Sequence, residues 1–471
     1  MVFAIVLVLL IVGSVLFHFL SPWYFTPIAS NWGMIDDTVT ITFWVTGFVF
    51  VAVNLFMAYA VVRYRYRKGR VAEYAPENKK LEAWLVAVTT VGVVAMLAPG
   101  LFVWAKFVEV PADAAVFEAM GKQWHWGFRF PGKDGVMGTV DAKHVSDKNP
   151  FGMNPDDPNG QDDVLVSSPE VHLPLGKPVK ALLRSIDVLH DFAVPQFRVK
   201  MDLVPGLVTY IWFTPTRTGK FDLLCEELCG VAHFTMRGKV VVEEEGAFQA
   251  WLSRYPTFAQ SSARVAGDAA AGQPLYAVCS ACHGAQAEGN PALHAPKLSG
   301  QGDWYLKRQL NYFKHGARGT HDQDVYGKQM APMAATLVDD AAVDNVVAYI
   351  ETLPDSPAPP TLKENAANGQ KLFARNCAAC HGSGGRGVQA MNAPRLAGMS
   401  DWYLVTQLKN FKQGIRGAHP ADMYGPQMMS MAAILHDDQA TADLVAYINT
   451  LGPLMTGLKQ SDASESSTGK N

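Results

Sequence analysis

Cysteine is scarce in this chain. Its 471 residues hold six, Cys225, Cys229, Cys279, Cys282, Cys377 and Cys380, in three tight pairs with none elsewhere. A disulfide framework ties together distant segments of a small secreted domain. Three local pairs, each followed by a histidine, read as cofactor sites instead. A basic excess is missing too. Lys and Arg number 40 against 43 Asp and Glu, for a formal charge of -3, which leaves no basic face for nucleic acid. Charge is absent from three opening stretches: Met1 to Leu20, Thr38 to Val62 and Ala83 to Ala105 carry no Asp, Glu, Lys or Arg. Each reaches the ~20 residues that span the hydrocarbon core of a bilayer.

What charge there is at this end lies between the second and third stretches. RYRYRKGR (Arg63 to Arg70) and then Lys79 and Lys80 make that loop strongly basic, which places it in the cytoplasm. The first stretch then starts inside, and everything after about Lys106 lies outside. That first stretch lacks the basic start and small-residue cleavage site of a signal peptide, so it reads as a retained helix. Residues 1–106 are thus expected to form an anchor of three transmembrane helices in membrane lipid.

Residues 107–255 change character. VKALLRSIDVLHDFAVP, LVTYIWFTP, KFDLLC and RGKVVVEE are short, apolar and β-branched, broken by Pro and Gly. Such runs suggest a β-sandwich or barrel. Between Pro131 and Asp163, NPDDPNGQDD would suit a hard cation such as calcium, with a solvated loop the simpler reading. CEELCGVAHFTM, Cys225 to Met236, gathers two thiols, His233 and Met236, with His190 upstream. Thiolate, thioether and imidazole together favour copper. A mononuclear blue-copper site needs one Cys, two His and a weak Met; here there is one thiolate more, and two bridging thiolates can hold two copper ions. A zinc pair with His233 as third ligand competes, but C-x-E-x-C with His and Met behind it favours copper.

This loop resembles the CuA loop of cytochrome c oxidase subunit II, C-x-E-x-C-x-x-x-H-x-x-M. DVLHDFAVP resembles that family's first copper-histidine segment, and QWHW its paired-tryptophan segment. The resemblance covers roughly Thr38 to Glu245. It implies Cys225 and Cys229 as bridging thiolates, His190 and His233 as terminal imidazoles and Met236 as the weak axial ligand. It further implies that Glu227 gives copper its backbone carbonyl and turns its side chain to a magnesium ion shared with subunit I. Trp124 would be the surface residue through which an electron arrives. The family commonly has two transmembrane helices here, and this chain shows a third in front. Glu82 lies two residues before Trp84, where the family often has three. It stands either at a proton-uptake entrance, as the resemblance implies, or as an acidic residue suited to a helix start. His125, His144 and His172 have no constellation and read as structural or solvent-facing.

After PTFAQSSARVAG, which reads as a linker, the chain repeats itself. CSACH at Cys279 returns as CAACH at Cys377, 98 residues on, and the same offset maps APKL, DWYL, GKQM and VAYIETL onto APRL, DWYL, GPQM and VAYINTL. C-x-x-C-H is the attachment motif of c-type haem. Cys279, Cys282, Cys377 and Cys380 would form thioethers, with His283 and His381 as proximal ligands. Met as distal ligand raises the potential of cytochromes c, and each repeat offers Q-M-x-x-M-A. The stretch resembles the dihaem cytochrome c4 family, built of two class I cytochrome folds. That resemblance points to Met330 and Met428 as distal ligands, with Met333, Met429 and Met431 as pocket packing. It also implies that Pro296 and Pro394 orient the proximal histidines through their carbonyls. His321 and His419 read as polar surface or propionate neighbours. The two cytochrome domains are expected over 266–354 and 362–455, joined by a Pro-rich segment, with a disordered tail over 456–471.

The expected architecture is a multidomain membrane protein: transmembrane helices, a cupredoxin-like β-sandwich with CuA, and two all-α class I cytochrome c domains. The resemblance implies the electron-input subunit of a caa3-type oxidase in a bacterial inner membrane, with its large domains on the periplasmic face. Electrons would come from a periplasmic cytochrome c or a quinol-oxidising complex. They would leave for haem a and CuB of subunit I, with subunit III alongside. This chain lacks the histidine-rich helical bundle that haem a and CuB require, so oxygen reduction belongs to the partner. The alternatives are a CuA subunit of a nitric oxide reductase and a free-standing membrane electron carrier. A copper chaperone has no use for haem, and a sensor needs a cytoplasmic output domain. The repeats are alike in motif, so nothing in their spacing ranks one haem ahead of the other.

Overall fold

The computed structural model describes residues 2–21, 26–71, 74, 76–146, 149–263, 267–362 and 364–452; the tail expected over 456–471 lies outside them. Three helices lead, α1 (Val2–Leu20), α2 (Gly33–Arg63) and α3 (Lys79–Val108), each long and apolar enough to cross a membrane. At ~1.5 Å per residue, the 31 residues of α2 outrun a hydrocarbon core of ~30 Å. One end must therefore stand clear. Its first turn does, since Asp36 there accepts from Nε and Nη2 of Arg198 at 2.7 and 2.9 Å. Beside it Trp32, 1% exposed, donates its indole N–H to the Trp212 carbonyl at 3.0 Å. These contacts clamp the anchor to the domain that follows.

That domain turns the short β-branched runs into β1 (Ala115–Lys122), β2 (His125–Phe130), β3 (Val164–Val166), β4 (Glu170–Pro174), β5 (Val179–Ser185), β6 (His190–Val194), β7 (Val199–Leu203), β8 (Thr209–Phe213), β9 (Gly219–Leu224) and β10 (Arg237–Glu243). Alternate side chains of β5 are buried, from Val179 to Ser185, as the two-residue period of a half-buried strand requires. The strands form two five-stranded sheets, ordered β3-β2-β1-β5-β8 and β4-β10-β9-β6-β7. Phe117, Phe128, Leu183, Phe192 and Phe213 fill the core. Because β6, β9 and β10 are neighbours, His190 at the head of β6 meets the loop that joins β9 to β10.

Among the described residues of 131–163, several are buried rather than solvated. Phe151 and Met153 turn inward against Met120 and Phe258. Arg129, 2% exposed, donates to Glu118, to the Gly138 carbonyl and to Asp163. Asp157 accepts from Thr139, and Asp162 from the backbone of Lys133. These carboxylates bind the chain's own donors, which removes the case for calcium. Arg129→Leu leaves the buried Asp163 carboxylate without its cation and Glu118 with Arg184 alone, and should cost about 3–5 kcal/mol. A denaturation midpoint of the β domain that stays put, followed by tryptophan fluorescence, would contradict that.

The linker reading fails at its start. Helix α4 (Glu245–Leu252) is followed by α5 (Phe258–Ser262), for which Thr257 and Gln260 form a reciprocal capping box. Phe258, 5% exposed, pins it to the β domain. The polar run behind that single aromatic concealed the helix.

The repeats follow as α6 (Ala269–His283), α7 (Asp303–Lys314), α8 (Val325–Ala335) and α9 (Asp340–Glu351), then α10 (Ala366–Asn376), α11 (Ala378–His381), α12 (Asp401–Lys412), α13 (Gly425–Ala433) and α14 (Asp438–Ile448). In each, the first helix crosses the last at a glycine. A Cβ on Gly272 would lie 1.9 Å from the Asn345 carbonyl oxygen, and one on Gly369 1.9 Å from that of Asp443. These equivalent glycines are one residue closer together than the haem motifs behind them. The extra residue ahead of Cys377 breaks the second helix into α10 and α11, whereas α6 runs unbroken into His283. The offset of 98 therefore holds only from the cysteines onward.

Candidate metal centre

The loop from Cys225 to Met236 closes on itself. Cys225 Sγ and Cys229 Sγ are 3.8 Å apart. His190 Nδ1 lies 3.9 Å from Cys225 Sγ, and His233 Nδ1 3.4 Å from Cys229 Sγ. Met236 Sδ is 3.9 Å from Cys229 Sγ, and the Glu227 carbonyl oxygen 3.3 Å from Cys225 Sγ. All six sequence-selected groups meet, with an imidazole and a weaker ligand on each side of a thiol pair. Six donors exceed the four of a structural zinc site, and their softness suits copper. Among the described residues, His190, Cys225 and Cys229 are the one group of three such side chains close enough to share an ion.

Electrostatics prepares the same atoms. His190 Nε2 faces Asp187 Oδ1 at 2.8 Å, which fixes the ring so that Nδ1 meets the thiols. Burial opposes charge on His190, yet Asp187 and Cys225 hold its pKa above the ordinary imidazole value. The hydrogen bond between the thiols pushes Cys225 well below the usual thiol range and Cys229 above it. Asp187 escaped the sequence reading, though it stands three residues before His190 in DVLH, within reach of the ring's far nitrogen.

Trp124 is not at the surface. It is 5% exposed and donates its indole N–H to the Cys229 carbonyl at 3.1 Å, and Gln427 on α13 of the second repeat meets its backbone carbonyl. Glu227 is half-buried. Glu82 stands apart in the exposed first turn of α3, at the end away from the β domain. His172 does have a constellation: Glu170 and Glu243 hold its ring nitrogens at 2.9 and 2.6 Å, and Trp251 stacks on it at 4.3 Å. Glu170 stands two residues away on β4, but Glu243 reaches the ring only through the pairing of β4 with β10. Burial lowers the pKa of His125 to about 4.

Both repeats carry the same histidine geometry. His283 Nδ1 lies 2.7 Å from the Pro296 carbonyl, and His381 Nδ1 2.7 Å from that of Pro394. A carbonyl only accepts, so Nδ1 bears the proton and Nε2 is left as a metal ligand. Burial keeps both rings neutral by lowering their pKa. In the first repeat, Cys279, Cys282, His283, Met330 and Met333 line a mostly apolar cleft that reaches Trp402 and Tyr403 of the second. Between the repeats Arg318 donates to Gln309, Gln407 and Tyr403, and Arg416 to Gln407, Gln309 and Tyr305, all at 2.8–2.9 Å. The buried Nε of each arginine lacks a partner. An anionic edge on a bound macrocycle would supply one, so the residues fit haem. His321 and His419 each accept from a backbone N–H two residues on, at 3.2 Å.

Comparison with known proteins divides the chain the same way. Residues 115–244 match the family described as cytochrome c oxidase subunit II, periplasmic domain, and residues 269–354 and 366–452 each match cytochrome c. An alternative cytochrome c oxidase subunit 2 of Bradyrhizobium diazoefficiens is 62% identical over 264 residues, 56% of this chain and 95% of that protein. Cytochrome c4 of Pseudomonas aeruginosa is 36% identical over 200 residues, 40% of this chain and 91% of that protein. The crystal structure of reduced cytochrome c4 from Pseudomonas stutzeri shares 32% identity, covering 39% of this chain and 98% of that one, with a TM-score of 0.32. On its β domain and near-complete coverage of that first relative, the chain belongs to the cytochrome c oxidase subunit II family, extended by two cytochrome c domains.

Proposed function

We propose that this chain is the electron-input subunit of a caa3-type oxidase and relays electrons from two c haems through CuA to haem a of subunit I. One observation carries the reading: two thiols, two Nδ1 atoms, a thioether and a carbonyl converge on one buried spot beside a duplicated haem-attachment motif. When bound, the copper pair and the haems supply one-electron carriers that need no proton. The chain's own residues do the rest. Cys225, Cys229, His190 and His233 would hold the copper pair as its strong ligands, with Met236 and the Glu227 carbonyl as its weaker ones. Asp187 keeps His190 in its ligand orientation. The Pro296 and Pro394 carbonyls do the same for His283 and His381, which would hold the haems together with Met330 and Met428. The Glu227 side chain faces magnesium at the boundary with subunit I, and Glu82 marks a proton-uptake entrance on the inner side.

The anchor supports a place in the bacterial inner membrane, with the β and cytochrome domains over 107–255, 266–354 and 362–455 on the outer face. Tethering the cytochromes replaces a diffusional encounter by a local one at ~mM effective concentration. Subunit III and a periplasmic donor complete the assembly. The test is a reduced-minus-oxidised visible spectrum of the complex purified through a tag on this chain. Haem a bands beside haem c are expected. Haem b without haem a would shift the reading to a nitric oxide reductase, and haem c alone to a free-standing carrier.

A further inference from the structure

The repeats share their motifs but not their surroundings. In the second, Gln427 on α13 donates Nε2 to the Trp124 carbonyl at 2.7 Å. Tyr424 meets His125 edge-on, ring centroids 6.3 Å apart, and α13 packs on the turn His233–Thr235 of the copper loop. Cys380, Met391 and Met431 press on the core of the β domain. Their counterparts in the first repeat make no such contact: Gln329 is exposed, Tyr326 stacks on His294 with ring centroids 4.0 Å apart, and Cys282, Leu293 and Met333 line that repeat's own cleft. Equal sequence with unequal contact identifies which repeat is docked.

The contact also forms a path. Gln427 directly precedes Met428, its amide meets the Trp124 backbone, and the Trp124 indole donates to the Cys229 carbonyl. In the other direction, Arg308 of the first repeat bonds the Asn392 side chain at 3.0 Å and lies over the Tyr424 ring at 4.5 Å. Among the described residues, these contacts lead from the first repeat to the copper loop by way of the second.

We propose that the second cytochrome domain hands electrons to the copper loop, that the first is the input end, and that Gln427 is the positioning residue that seats the second on Trp124. This rests on the relay reading above. The step is a single-electron transfer: ferrous haem of the second repeat becomes ferric, the copper pair gains one electron, and no bond or proton moves.

The test is flash photoreduction of haem c in the intact complex under anaerobic conditions, with copper reduction followed by its own absorbance. Gln427→Ala should slow copper reduction about fivefold, the factor that one net hydrogen bond represents. Haem spectra and the midpoint potentials of haem and copper should not change. Gln329→Ala, the matching position beside Met330, controls for disturbance of a distal ligand and should change nothing. Tyr424→Ala tests the same contact from a second residue and should also slow the step. Wild-type rates in both second-repeat variants, or slowing by Gln329→Ala instead, would overturn the order of domains. No copper reduction even in the wild type would strike at the relay itself rather than at the order.

Discussion

Cys225→Ser abolishes the binuclear copper and leaves both c haems attached. A hydroxyl is a poor ligand for soft copper, and the remaining thiolate of Cys229 has no second bridge to share a pair of ions with. The haem domains do not depend on this loop for their folding. Leu337, Val346, Val347 and Ile350 build the core of the first, and Phe373, Leu435, Leu444 and Ile448 that of the second, apart from the cluster that contains Cys225 and Cys229. Copper analysis should show the pair lost, while the haem c spectrum keeps its full amplitude. Loss of haem with the copper would show that these cores are not independent.

Asp187→Ala should weaken copper binding ~10–100-fold, the usual cost of removing a residue that orients a metal-binding histidine. Asp187 Oδ1 holds His190 Nε2, and Asp187 Oδ2 accepts the backbone N–H of Gln123 at 2.7 Å. One carboxylate therefore fixes both a ligand and the corner that bears Trp124. Chelator competition on the intact chain measures the change. Asp187→Asn keeps an acceptor and should lose less. Equal affinity in wild type and Asp187→Ala would mean that the β-strand alone sets the histidine.

The ligands were legible because copper and haem demand particular residues at fixed spacing. C-x-E-x-C-x-x-x-H-x-x-M and C-x-x-C-H lie within single loops or helix ends, so local sequence carries nearly the whole site. The three apolar stretches were legible for a similar reason, since a bilayer requires uninterrupted length. What stayed hidden depends on segments far apart in the chain. His172 gains Glu243 through the pairing of β4 with β10, beside Glu170 of its own strand. Arg129 reaches across the insertion to Asp163, and a polar loop looks solvated until that cation is placed. Trp124 was expected at the surface on the family resemblance; it is buried, and Gln427, some 300 residues later, meets its backbone carbonyl. The register of the repeat was read from its haem motifs, and the helix crossings at Gly272 and Gly369 show a single-residue insertion that those motifs do not span.

The asymmetry between the repeats has the same origin. Duplication gives each domain the same Gln-Met pair on its last-but-one helix. Only docking decides that Gln427 finds a backbone carbonyl while Gln329 meets water. On the proposed order, fusion to the β domain makes one of two similar domains the inner and the other the outer.

The most direct test of the account is to reduce haem c by a light flash in the wild-type complex, without oxygen, and to follow haem c and copper absorbance together. The account predicts that haem c reoxidises as the copper centre is reduced, with matching kinetics and one electron gained for each lost. Haem c that stays reduced beside an oxidised, fully loaded copper centre would contradict it.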